Sequence, residues 1–223
     1  MLALNPWSNS ALAQVDPRVE LLEAARLDQE SVAIRLLLRG VDPNIREKDA
    51  GPVIVYAARE KSFGVVRALA IDPRTAIDAV NAQKETALMY AALHGDLKTV
   101  KVLVDKGAAV NREGWSPLHY AASSGHVEVM KFLLENHAYI DAASPGNVTP
   151  LMMTARHNQT SASRLLVEEG ADPSLKSDQG YTAADYWKRT KDPVEEAWIR
   201  KKAEEFVKKY GTKEAPVLAK PAE

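Results

Sequence analysis

The sequence predicts an all-α solenoid: helix–loop–helix units stacked in register and closed by a C-terminal capping helix. Three observations predict it. One short pattern, Thr-Pro-Leu-His-x-Ala-Ala, is best kept at Ser116-Pro117-Leu118-His119-Tyr120-Ala121-Ala122, and other copies start at Val19, Pro52, Thr86, Thr149 and Thr182. The starts lie 33, 34, 30, 33 and 33 residues apart. A period of this size marks units that hide their apolar faces only against neighbours. Finally, helix-start and helix-stop residues recur at matching offsets within the units.

The elements follow in order. A Thr or Ser hydroxyl at the head of the pattern can accept from an orphan backbone N–H and so begin the first helix. Pro117 and Pro150 come next, at the first helical position, where the missing N–H costs nothing. The small pairs Ala57-Ala58, Ala91-Ala92 and Ala121-Ala122 let neighbouring helices approach closely. A break follows at Gly95 or Gly125. The second helix then carries an apolar stripe, as in Val100, Leu103 and Val104, or Val129, Phe132 and Leu133. Gly40, Gly107 and Gly170 stand where that helix must end in a left-handed residue. Extended segments such as Asp42-Pro43-Asn44 and Asp172-Pro173 lead to the next cap.

Departures from the pattern are informative. The second unit has Asp72-Pro73-Arg74 in place of the terminating Gly, so its second helix should end differently. The fourth has His137 there, a costly residue for a left-handed backbone. The link Asn111-Arg112-Glu113-Gly114 between the third and fourth units is three residues shorter than its neighbours. In the sixth unit the pattern breaks at Trp187, where Ala belongs. Asp192-Pro193-Val194-Glu195-Glu196 then starts a final helix with Ile199, Ala203, Phe206 and Tyr210 on one face, Trp198 beside them and Gly211 as its stop.

The pattern resembles the ankyrin repeat over residues 19 to about 190. The resemblance implies an ankyrin-repeat domain of five repeats and a partial sixth over 19–191, an ankyrin-repeat solenoid of helix–loop–helix units joined by β-turn fingers. A capping helix over 192–211 is expected to seal the stack. Residues 1–18 are expected to be a disordered leader or the remnant of a truncated signal peptide, and 212–223 a disordered tail. Ser10-Ala11-Leu12-Ala13-Gln14 has the small-residue end of a secretory signal, without a basic region ahead of it. As written, the chain reads as cytoplasmic. It reads as periplasmic if the true start lies upstream and Ala13-Gln14 is a cleavage site.

Bulk composition narrows the functional classes. With 29 basic against 30 acidic residues, the overall field gives no case for nucleic acid or an anionic membrane. No apolar run is long enough to span a bilayer. The absence of cysteine excludes a disulfide framework, a thiolate nucleophile and a Cys-based zinc site. No Gly-rich phosphate cradle, nucleophile elbow or His-x-x-x-His pair occurs, so no catalytic residue, metal or cofactor is expected.

The resemblance implies binding through the fingers and the exposed side of the first helices, which line a concave face. Columns across the repeats therefore matter most. The residue before the first Ala is Glu23, Tyr56, Tyr90, Tyr120, Met153 and Tyr186: a tyrosine ladder expected to pack between first helices with its hydroxyls in water. After the Ala pair come Arg26, Arg59, Leu93, Ser123, Arg156 and Arg189. These are either solvated helix ends or arginines that grip a partner's carboxylates around an uncharged centre. Trp115, on the shortened finger, is either a binding anchor or a lid folded over Leu93 and Tyr90. Val148 and Tyr181 hold the same place in later repeats. His119 is implied to tie neighbouring fingers together, and His126 and His137 are structural. His94 and His157 are free but two repeats apart, too far to share a metal.

The expectation is thus a monomeric, non-catalytic scaffold for a protein partner. Its contact centre is Trp115 with Tyr90, Leu93, His94, Ser123 and Tyr120, and Arg59 and Arg156 form its polar margin. Two other readings stay open: a periplasmic guard or assembly factor for an exported enzyme, and a small-ligand receptor or enzyme using the groove.

Overall fold

The computed structural model describes residues 16–211. Most of the expected leader and all of the expected tail lie outside the described residues. Helices come in pairs. The first four are α1 (Pro17–Leu27), α2 (Glu30–Leu38), α3 (Val53–Arg59) and α4 (Phe63–Ile71). The next four are α5 (Ala87–His94), α6 (Leu97–Asp105), α7 (Pro117–Ser124) and α8 (Val127–Glu135). The last are α9 (Pro150–Arg156), α10 (Thr160–Glu168), α11 (Ala183–Thr190) and α12 (Pro193–Tyr210). A small antiparallel hairpin, β1 (Arg46–Glu47) with β2 (Gly51–Pro52), stiffens the first finger.

Each odd-numbered helix packs on the next odd-numbered one, and the even-numbered helices from α2 to α10 do likewise, giving two parallel rows of helices. The alanine pairs at 24–25, 57–58, 91–92 and 121–122 are fully buried between them. Leu21, Leu36, Leu69, Leu88, Leu103, Leu118 and Leu133 form the apolar layer they share. Each such leucine contributes about 2 kcal/mol by leaving water, so the fold is a sum of local joints.

Three of the expected hydroxyl caps are present, and the first helix is capped elsewhere. Thr86, Thr149 and Thr182 accept from the backbone N–H groups of Met89, Met152 and Asp185. The first helix instead starts at Pro17, two residues ahead of the pattern and inside the stretch read as leader, because Asp16 accepts from Arg18 N and caps it there. At the end of the second helices, Gly40, Gly107 and Gly170 have positive φ, and His137 takes the same left-handed region at 64°. Asp72 is extended there, as its Pro neighbour requires.

The loop inside each unit repeats one device. Asp28, Lys61, Gly95, Gly125, Asn158 and Lys191 all have positive φ. Only the third and fourth repeats use glycine, and close approach explains it. A Cβ at Gly95 would lie 2.5 Å from His126 Nδ1, and one at Gly125 would lie 2.3 Å from Gln159 Oε1. His126 Nε2 meets Leu93 O at 3.0 Å and Gln159 Nε2 donates to Ser123 O at 3.3 Å, tying each loop to the next.

Fingers are bracketed by side-chain amides and carboxylates that complete the neighbour's backbone. Asn44 donates to Arg74 O and accepts from Ala76 N; Asn111 does the same with His137 O and Tyr139 N. Asp78 accepts from Ala109 N and Asp141 from Asp172 N. The finger row is therefore built to hold its spacing.

Candidate functional site

The finger face is organised around His119. This buried ring accepts at Nδ1 from Ser116 N at 3.2 Å and faces Val148 O from Nε2 at 2.9 Å. That network fixes the neutral Nε2–H tautomer, because a proton at Nδ1 would confront the Ser116 N–H. Burial drives its pKa down to about 4. The tie between fingers expected of His119 is present.

Trp115 rests edge-on against that imidazole, ring centroids 5.3 Å apart at 80°. It is half-buried and stands between two hollows. One, of about 880 Å³, is lined by Glu85, Met89, Trp115, Tyr120 and Pro145 among others. The second, of about 520 Å³, is lined by Trp115, Pro145, Val148, Arg156, Tyr186 and Arg189 among others. Trp115 thus leans on its own repeat and divides the face.

The tyrosine ladder packs against the core as expected, and its two middle hydroxyls are tied to an acid of the chain. Tyr90 and Tyr120 both donate to Glu85, Tyr120 to Oε1 at 2.7 Å and Tyr90 to Oε2. Asn81 Nδ2 adds a third bond to Oε2 at 2.8 Å. Burial alone would raise the Glu85 pKa, yet the bonds from Asn81, Tyr90 and Tyr120 outweigh it and hold the carboxyl below its usual range. The phenols respond in the opposite sense. Burial and donation to Glu85 push Tyr90 up to about 12 and Tyr120 higher still. Pattern reading missed Glu85, although a signal existed: it sits directly before the Thr86 cap, in the column of Trp115, Val148 and Tyr181.

The remaining expected contact residues scatter. His94 stacks on Tyr90 at 6.5 Å and tilts against Phe63, and its pKa is lowered by burial and then by Lys61 and His126. Leu93 gives its carbonyl to His126, and Ser123 Oγ donates to Tyr120 O. None of these three lines either hollow. Arg59 lies over the Tyr56 ring and pairs with Glu60 at 3.2 Å, and Arg26 pairs with Glu23 at 2.8 Å. Arg156 lies over Tyr186 at 5.8 Å. The structure therefore unites Trp115 with Tyr120 and Arg156, whereas Arg59 lines neither hollow. Among the described residues no cluster of His, Asp or Glu could hold a metal ion, and no helix is long and apolar enough to cross a membrane.

Stacked helical hairpins with a row of tied fingers define a repeat scaffold, a protein whose working surface is spread across units. Family comparison makes this specific. A model of ankyrin repeats in three copies matches residues 21–113 and again 54–144, and a single ankyrin repeat matches 147–178. The chain belongs to the ankyrin repeat family, whose repeats are generally protein–protein interaction modules and typically non-catalytic.

It is similar to Ankyrin repeat and SAM domain-containing protein 6 of Rattus norvegicus, 28% identical over 160 residues. The Mus musculus protein of that name is 31% identical over the same length. Both alignments cover 70% of this chain but only 14% of the relative, so the chain spans about a seventh of their length. Alpha-latroinsectotoxin-Lt1a of Latrodectus tredecimguttatus is 39% identical over 75 residues, 34% of this chain and 5% of the toxin.

Proposed function

We propose that this protein is a non-catalytic scaffold that binds a partner protein through its concave face and fingers, with Trp115 at the centre of the contact. The observation that carries the reading is the position of that indole. It is half-exposed, braced by a buried histidine and open on both sides to hollows lined by fingers of three successive units. An aromatic anchor held rigid before binding loses little entropy on binding. Tyr120 and Arg156 flank it, and Tyr90 acts from behind by fixing Glu85.

The test is Trp115→Ala in the full chain. With a partner identified by affinity capture and then purified, the Kd should rise at least about tenfold, a loss typical of a central anchor. The thermal midpoint should fall by only a few degrees, because the ring packs on one edge and not in the core. Unchanged affinity with intact folding would refute the assignment.

A further inference from the structure

Of thirteen arginines, seven pair with a carboxylate of the chain, and six, Arg18, Arg39, Arg46, Arg112, Arg156 and Arg189, do not among the described residues. Of the unpaired group, Arg156 and Arg189 both open into the smaller hollow beside Trp115. Their guanidinium groups are held by aromatic faces. Arg156 lies 5.8 Å from the Tyr186 centroid and Arg189 lies 4.9 Å from that of Tyr181. The two tyrosines meet edge to face at 5.9 Å. This places two exposed, charge-bearing forks on a common aromatic base. The acidic lining residue, Asp178, already accepts from Asn147 Nδ2 at 2.6 Å.

Across Trp115 the charges balance, since the larger hollow is lined by Lys84 and Arg112 as well as Glu85 and Glu113. A bound segment therefore meets two cationic forks on one side of the indole and a mixed surface on the other. From this juxtaposition we infer that the partner presents an acidic segment, with Asp or Glu carboxylates in the Arg156–Arg189 hollow and a neighbouring apolar or aromatic side chain on Trp115. Arginine suits this role because its planar fork binds a carboxylate through two parallel N–H bonds while its flat face stays on the ring. The larger hollow offers no such excess of cations, so the acidic end of the segment points toward the sixth unit. This rests on the finger-face reading above and adds the chemistry of the partner.

The experiment is selection of short random peptides displayed on phage against the immobilised full chain, followed by titration of the enriched peptides in solution. Expected are peptides with Asp or Glu next to Phe, Leu, Tyr or Trp, whose binding weakens as salt rises. R156Q/R189Q should weaken them about tenfold or more, with its thermal midpoint unchanged because both side chains are exposed. R35Q/R200Q, which removes two paired arginines away from the finger face, should leave affinity within about twofold. Enrichment of basic or uncharged peptides, or of none over bare matrix, overturns the inference. Peptides that lose binding with W115A but not with R156Q/R189Q overturn the acidic chemistry while leaving the finger face standing. Indifference to all these variants removes both.

Discussion

The fourth and sixth units solve the same packing problem in opposite ways. In the fourth, the inner position of the first helix is Ala121, the neighbours close in, and the polar groups of the joint are satisfied through His119, Ser116 and Val148. In the sixth, that position holds Trp187, fully buried, and α12 takes the outer side. Around it the polar accounts do not close. Ser163 Oγ, Asp172 Oδ2, Trp187 Nε1 and Glu195 Oε2 are the buried side-chain atoms without a hydrogen-bond partner among the described residues, and all fall between positions 163 and 195. Glu195 keeps only the bonds from Arg164 to its other oxygen, at 3.0 Å from Nε. The contrast teaches that the middle of the stack derives its order from matched polar ties, whereas its C-terminal end relies on apolar volume.

The largest expected effect breaks the end. Trp187→Ala should cost about 3–5 kcal/mol in urea unfolding, the penalty of emptying a large buried site. Hydrogen exchange should accelerate in α11 and α12 and stay slow in α5 to α8. An equal acceleration in the middle would erase the distinction.

Next comes the pH dependence of the middle. His119 titrates near 6.5 when unfolded and at about 4 when folded. Its neutral form is favoured by the fold, so the associated stability is complete above pH 6.5. It declines as pH falls through the interval down to about 4 and is gone below. The full span amounts to on the order of 3 kcal/mol. His119→Gln removes this titration, so its deficit relative to wild type at pH 7.5 should shrink by roughly that amount at pH 4. A constant deficit would mean that the ring is not the titrating group.

A smaller effect sharpens the picture of the tyrosine clamp. Tyr120→Phe should lose about 1–2 kcal/mol at pH 7, the range for a hydrogen bond to a partly screened carboxylate. Tyr90→Phe should behave alike. Because both phenols share Glu85, the double variant should lose measurably less or more than the two single losses added. Strict additivity would show that the carboxylate does not couple them.

Most of the fold was legible because its signals are local and repeated. Helix starts at Thr86, Thr149 and Thr182, stops at Gly40, Gly107 and Gly170, and the alanine pairs each state a backbone requirement in the residue itself. The cap of the first helix lies three residues ahead of the pattern's start, because the repeat pattern points to Val19 while the actual cap is Asp16. The site was only partly legible. Column reading found Trp115, Tyr120 and Arg156, which share hollows, because repeats align side chains that face one way. It grouped Leu93, His94 and Ser123 with them, although these sit at the far end of the first helices, where Leu93 and Ser123 give their carbonyls to the next loop and His94 rests on Tyr90 and Phe63. It overlooked Glu85, since a single acid ahead of a cap looks solvated until two tyrosines from different units are seen to converge on it.

The seam at Gly95 has an engineering consequence. There a bare backbone receives the imidazole of His126, and at Gly125 the amide of Gln159 takes the equivalent seat. Two chemically different plugs fit one socket, so units cut at these loops are interchangeable parts. A chimera that splices a foreign repeat between them should keep its pitch provided it brings one bare socket and one ring or amide to fill the next.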